Sequence, residues 1–251
     1  VSAKSPLRDG LPLPHLPGKG SPDAKLASAQ EFSVSITRRD FLAGTAILAL
    51  TSTAFSALDL RLIGTAFAQS PSPADLAVAG PLGDQVLGKD DAPVTIIEYA
   101  SMTCSHCATF HNSTYPELKK RYIDTGKVKY ILREFPLDPL AAGAFMLARC
   151  AGKDKYYPMV EVLFQKQKDW VVQKPIEPLM AIAKQAGFTE ESFNSCLQDQ
   201  KMLEGIEQVR TRASEKLGVN STPTFFINGK VHRGSLTIEE LEKQIAPLLK
   251  S

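Results

Sequence analysis

The sequence predicts an α/β fold, a mixed sheet flanked by helices with an all-helical block set between its strands. Three observations predict it. Two apolar strands at 94–99 and 127–135 enclose a helical stretch, a βαβ order that makes the strands parallel. Helical spacing alone, cut by breakers, fills 140–218. Finally, Thr224–Ile227 and Lys230–Arg233 flank Asn228-Gly229, the strongest short signal for an antiparallel hairpin.

The chain has 251 residues, 43% of them hydrophobic and 22% charged, as in an ordinary globular protein. A formal net charge of +2 without a dense basic run gives no case for nucleic-acid binding. Four cysteines are too few for a disulfide scaffold of this length, and match one reactive pair plus one other.

In chain order, residues 1–36 are rich in Pro, Gly, Ser and Lys and read as disordered. Thr37-Arg38-Arg39-Asp40-Phe41-Leu42-Ala43 has the pattern of a twin-arginine export signal. A charge-free stretch, 41–58, follows, and Ala66-Phe67-Ala68 is a small-x-small cleavage pattern. Residues 1–68 are therefore expected to be a removable leader, cleaved after Ala68, which places the rest in the periplasm; an uncleaved anchor is the other reading. Residues 69–83 read as a Pro/Ala/Gly linker, and 84–88 as an edge strand.

A central strand at 94–99 leads into a helix expected from Cys104 to about Thr125, stopped by Gly126 and kinked or broken at Pro116. Pro136 ends the next strand, 127–135. Helices are expected at 140–151, 156–170, 175–187, 189–197 and 201–218. After the hairpin, Thr237 and Glu240 make a capping box for a closing helix, 237–249. The domains are then 84–138 and 219–251, two parts of one unit, with 139–218 as the helical insertion.

The chemistry is concentrated at Cys104-Ser105-His106-Cys107, where a strand passes through a short loop into a helix. Cys-x-x-Cys in that setting is a redox dithiol pattern. The helix N-terminus offers unpaired N–H groups and partial positive charge, which favour a thiolate at Cys104. His106 can add a donor or a positive charge, and Cys107, one step into the helix, reads as the buried resolving thiol. Half of a structural zinc site and two unrelated buried cysteines remain as other readings. Zinc wants four ligands, and the sequence has no second Cys-x-x-Cys and no His-x-x-x-His pair.

A strand-helix-strand half bearing Cys-x-x-Cys, then Val219-Asn220-Ser221-Thr222-Pro223-Thr224-Phe225 before a hairpin and a helix, resembles the thioredoxin fold. The helical insertion narrows the resemblance to DsbA-type thiol:disulfide oxidoreductases, over residues 84–249. That resemblance implies a cis peptide at Pro223 facing the dithiol, with the Thr222 backbone able to pair with a substrate strand beside Cys104. It also implies that Glu98 is the family's buried acid, accepting a proton or tuning the dithiol; a strand-end carboxylate in water is the alternative. It implies a monomer that acts on thiol-containing substrate proteins without metal or organic cofactor and is reoxidised by a membrane quinone-linked partner.

Two departures from the strong oxidants of the family leave the direction open. Ser105-His106 stands where those have Pro-His, and Thr222 where they have Val, a Thr shared with disulfide isomerases. The function expected is disulfide introduction, with isomerase or reductase as the alternative. A metal carrier using Cys104, Cys107 and His106 is a more distant one. In an exported protein Cys150 and Cys196 are expected to pair, closing a loop worth about 4 kcal/mol in the chain-entropy account; free buried thiols are the other possibility. Arg133 and Glu134 interrupt an apolar strand and read as ion-paired, while His111 reads as solvated or packed on its helix and His232 as lying on a hairpin edge.

Overall fold

A computed structural model describes residues 71–249, and the leader and cleavage site expected in 1–68 lie outside the described residues. Five strands, β1 (Gln85–Leu87), β2 (Val94–Ala100), β3 (Val128–Glu134), β4 (Thr224–Ile227) and β5 (Lys230–Arg233), form one sheet in the order β1-β3-β2-β4-β5. β2 and β3 are parallel, with Val94 opposite Val128 and Ala100 opposite Glu134; every other neighbouring pair is antiparallel.

The apolar runs of β2 and β3 follow from burial on both faces. Alternation along β2 sends Ile96, Glu98 and Ala100 to one face, beside Tyr130, Leu132 and Phe225 of the flanking strands. Ile97 and Tyr99 point the other way, with Ile131 and Phe226. The first face packs against α2 (Ser105–Ser113), α4 (Pro139–Cys150), α5 (Lys153–Gln165) and α10 (Ile238–Ile245), through Phe110, Phe145, Phe164 and Leu241. The second is covered by Val209, Ala213 and Leu217 of α9 (Gln200–Leu217) and by Leu76.

Leu76 belongs to α1 (Pro73–Ala77), inside the stretch expected to be a linker. Pro73 stands at the first helical position, where its missing N–H costs nothing. Ser72 and Asp75 close a capping box, and Arg212 of α9 donates to the Asp75 carbonyl at 3.0 Å. Further on, Leu82 fits against Gly205 of α9, where a Cβ would come within 2.5 Å of it.

The helix expected from Cys104 to Thr125 is three pieces. α2 stops at Thr114, Pro116 opens the separate short α3 (Tyr115–Leu118), and a π turn spans Lys119–Ile123. Pro116 has no N–H for the carbonyl one turn earlier, so the helix restarts there. Thr114 ties the joint down, its hydroxyl donating to the Leu236 carbonyl at 2.7 Å.

Between β3 and β4 the chain is helical. Asp138 caps α4 by accepting from the Ala141 N–H at 2.8 Å. The helix expected over 156–170 divides into α5 and α6 (Gln167–Trp170); α7 (Ile176–Gln185) and α8 (Glu190–Leu197) follow, and Gly218 at φ 67° ends α9. Cys150 at the end of α4 and Cys196 in α8 form a disulfide with Cα atoms 6.2 Å apart. α10 ends at Ile245, short of Pro247, and the Thr237–Glu240 capping box starts it.

Candidate active site

Cys104 is the N-cap of α2 and half-buried, whereas Cys107 is wholly buried; both are free thiols. The loop that delivers them is fastened from the helical block. Gln167 of α6 donates to the carbonyls of Met102 and Cys104 at 2.8 and 3.0 Å. Thr103 donates to Asp138 at 2.6 Å, and the Leu137 N–H donates to Ser101 Oγ at 3.2 Å. Asp138 thus caps α4 and anchors the dithiol loop together.

Across from Cys104 the Thr222–Pro223 peptide is cis, and the Thr222 carbonyl lies 3.3 Å from Cys104 Sγ. The Cys104 pKa is lowered to about 5. The Cys107 thiol donating to it is the largest cause; partial burial opposes, and the Thr222 side chain and the N–H groups of Cys107 and His106 add to the lowering. Only the protonated thiol can donate to the Thr222 carbonyl, so ionisation frees that oxygen for another donor. Burial, first, then the Cys104 contact and the nearby Glu98 push the Cys107 thiol well above its ordinary value. One sulfur is thereby poised to attack or leave at neutral pH, and the other keeps its proton until a step demands it.

His106 is exposed, and its ring has no hydrogen-bond partner among the described residues; what it brings to Cys104 is its backbone N–H. Glu98 is wholly buried, so the solvated alternative falls. Its Oε2 accepts from Tyr130 and lies 3.1 Å from His111 Nε2, while Oε1 has no partner. His111 is therefore buried against that carboxylate and not solvated, a partner the sequence reading missed. The one available signal was its place four residues after Cys107, on the same helix face.

Arg133 and Glu134 are ion-paired separately, Arg133 with Asp84 at 2.8 Å and Glu134 with Arg149 of α4 at 2.6 Å. His232 lies on edge strand β5, its Nδ1 3.4 Å from Gln244. Among the described residues no group of three or more His, Cys, Asp or Glu is placed to hold a metal ion, and no helix is long and apolar enough to cross a membrane.

A thioredoxin family model matches residues 82–246. A Rickettsia bellii protein provisionally named a protein-disulfide oxidoreductase is 38% identical over 151 residues, 58% of this chain and 57% of that one. Disulfide bond formation protein D of Bacillus subtilis is 28% identical over 67% of this chain and 78% of its own length. The matched part thus spans less than two thirds of the rickettsial relative. Among solved structures, Wolbachia pipientis alpha-DsbA1 is 33% identical with a TM-score of 0.67, covering 71% of this chain and 96% of that one. Oxidised BdbD of Bacillus subtilis is 26% identical with a TM-score of 0.60, over 72% and 97%. With its dithiol at the start of α2, the cis Thr222–Pro223 opposite and a helical block between β3 and β4, the chain belongs to the thioredoxin family, in its DsbA-like branch.

Proposed function

We propose that this chain is an exported thiol:disulfide oxidoreductase that introduces disulfides into thiol-containing substrate proteins. A substrate thiolate attacks Cys104 Sγ; the Cys104–Cys107 bond breaks, and Cys107 leaves and takes up a proton. A second substrate thiolate then attacks the substrate sulfur of the mixed disulfide, and Cys104 leaves as a thiolate. Two electrons pass from the substrate thiols to the protein, which a membrane quinone-linked partner reoxidises. The Thr222 carbonyl, 3.3 Å from Cys104 Sγ, stands beside the point of attack and suits an extended substrate segment, with the protein working as a monomer.

The observation that carries this reading is the stabilised thiolate of the half-buried Cys104 beside the cis Thr222–Pro223. Stabilising the thiolate stabilises the reduced form, and so makes the disulfide the stronger oxidant. A pKa of about 5 lies between the values of about 3.5 and about 7 that accompany strong oxidants and reductants. The reduction potential is accordingly expected between about −120 and about −270 mV. Site-resolved alkylation of Cys104 and Cys107 in glutathione buffers measures it on the intact protein. A value at or below about −270 mV overturns disulfide donation in favour of a reductase. Thr222 before the cis-proline favours isomerase action as the second reading, and reshuffling of a scrambled substrate without net oxidation would select it.

Linkage gives an independent check. The Cys104 pKa is depressed on folding, so its contribution to the stability of the reduced form is full above the unfolded thiol value and is lost as pH falls toward about 5. The melting temperature of the reduced form, minus that of the oxidised form, is expected to rise between those limits. A flat difference would remove the thiolate from the argument. Export is checked by sequencing the N-terminus of the secreted chain, expected to begin at Gln69.

A further inference from the structure

Cys107 must lose a proton to close the disulfide and regain one when it opens, yet it and Glu98 are both wholly buried. Two groups hold Glu98 Oε2. Tyr130 is one; burial, then the charge of Glu98, push its pKa well above the ordinary value, so it donates a hydrogen bond and does not ionise. His111 is the other, and imidazole is the side chain suited to exchanging protons near neutrality.

The ring of His111 is fixed. It stacks on Phe164 of α5 with centroids 4.3 Å apart and planes 19° apart. This sets Nε2 3.1 Å from Glu98 and leaves Nδ1, like Glu98 Oε1, buried without a partner. Orphaned polar atoms in a packed interior are costly, and two in one pair call for an explanation. His111 also lines a cleft of about 380 Å³ whose walls include Asn112, Gln165 and Glu161, and Cys104 is not among them.

We propose that His111 relays protons between Glu98 and this cleft each time the Cys104–Cys107 disulfide closes or opens, a role that rests on the exchange reading above. On closure, the proton of Cys107 Sγ–H passes through one bridging water to Glu98 Oε1, which has no protein partner of its own, and the thiolate attacks Cys104 of a mixed disulfide. The Cys104–Cys107 bond forms as the bond from Cys104 to the departing thiolate breaks. A proton shared between Oε2 and Nε2 stays between them, and Nδ1 releases one to the cleft. One proton enters and one leaves, and no outside electrons are needed. Opening runs the same path in reverse. Of the titratable groups, Glu98 from β2 and Tyr115 from α3 stand against the imidazole, Tyr130 from β3 shares the Glu98 carboxylate, and Glu161 from α5 lines the same cleft. Lys119, Lys120 and Asp124 stand at the cleft wall.

The test mixes reduced protein with an aromatic disulfide that releases a coloured thiolate, followed by stopped flow. A first release reports Cys104 attacking; a second reports Cys107 displacing the remaining thiolate. His111→Gln keeps a hydrogen bond to Glu98 but carries no proton. It is expected to leave the first release intact and to slow the second roughly 100-fold, the lower end of general acid–base contributions, with a flattened pH profile. An unchanged second release, or equal slowing of both, overturns the relay and leaves the exchange reading standing. Absence of a second release in the unaltered protein overturns the exchange reading itself. Should the variant not fold, the unaltered protein in D2O decides: selective slowing of the second release supports the relay, and equal slowing of both overturns it.

Discussion

Two glutamates on neighbouring parallel strands, Glu98 and Glu134, are 0% and 1% exposed, and they do different things. Glu134 is locked. Arg149 donates to its two oxygens at 2.6 and 3.0 Å and Tyr156 adds a bond at 3.0 Å, while the same guanidinium reaches the carbonyls of Leu82 and Gly83. Glu98 has no arginine. It is held by a tyrosine hydroxyl and an imidazole, and one of its oxygens has no partner. Burial and residue type are equal, so the difference lies in whether the partner can change protonation. A fixed cation turns a buried carboxylate into a staple; a titratable one leaves it free to handle protons.

The largest expected break in that comparison is Arg149→Ala. It leaves Glu134 charged, buried and without a cation, and uncaps the chain entering β1, at a cost of roughly 3–5 kcal/mol. Urea unfolding measures it. The Cys104–Cys107 potential is expected to stay where it was, since Arg149 touches neither sulfur. A shifted potential would mean that the two carboxylate sites are coupled.

The two sites were unequally legible. Period-two alternation puts Glu98 on the face of Ile96 and Ala100, so its burial follows once both sides of β2 are covered. Cys-x-x-Cys and Asn228-Gly229 are local signals and placed the dithiol and the hairpin directly. The partner of Glu98 was not legible, because His111 meets it only when α2 lies across β2, a contact between elements that spacing does not encode. The same holds for Gln167, which reaches back from α6 to the carbonyls around Cys104, and for Asp138, whose cap role was local and whose bond to Thr103 was not. α1 was missed for another reason: five residues starting on a proline carry too little pattern to separate a first helical turn from a linker.

Smaller changes sharpen the contrast. Tyr156→Phe removes one hydrogen bond to the charged Glu134 and is expected to cost about 1.5–3 kcal/mol, again read by urea unfolding. Glu98→Gln is expected to move stability least, by less than about 1 kcal/mol in either direction, because it removes a buried charge that no fixed cation compensates and keeps the shape of the site. Its effect should appear in the chemistry. Burial, the larger cause, keeps the Cys107 thiol high, but the charge of Glu98 adds to it, so the Cys107 titration should move down. The pH dependence of the second, Cys107-dependent release reads that shift, while the plateau rate falls for want of a proton acceptor. A loss of several kcal/mol with an unmoved Cys107 profile would make Glu98 a second staple like Glu134, and the distinction between the two carboxylates would be gone.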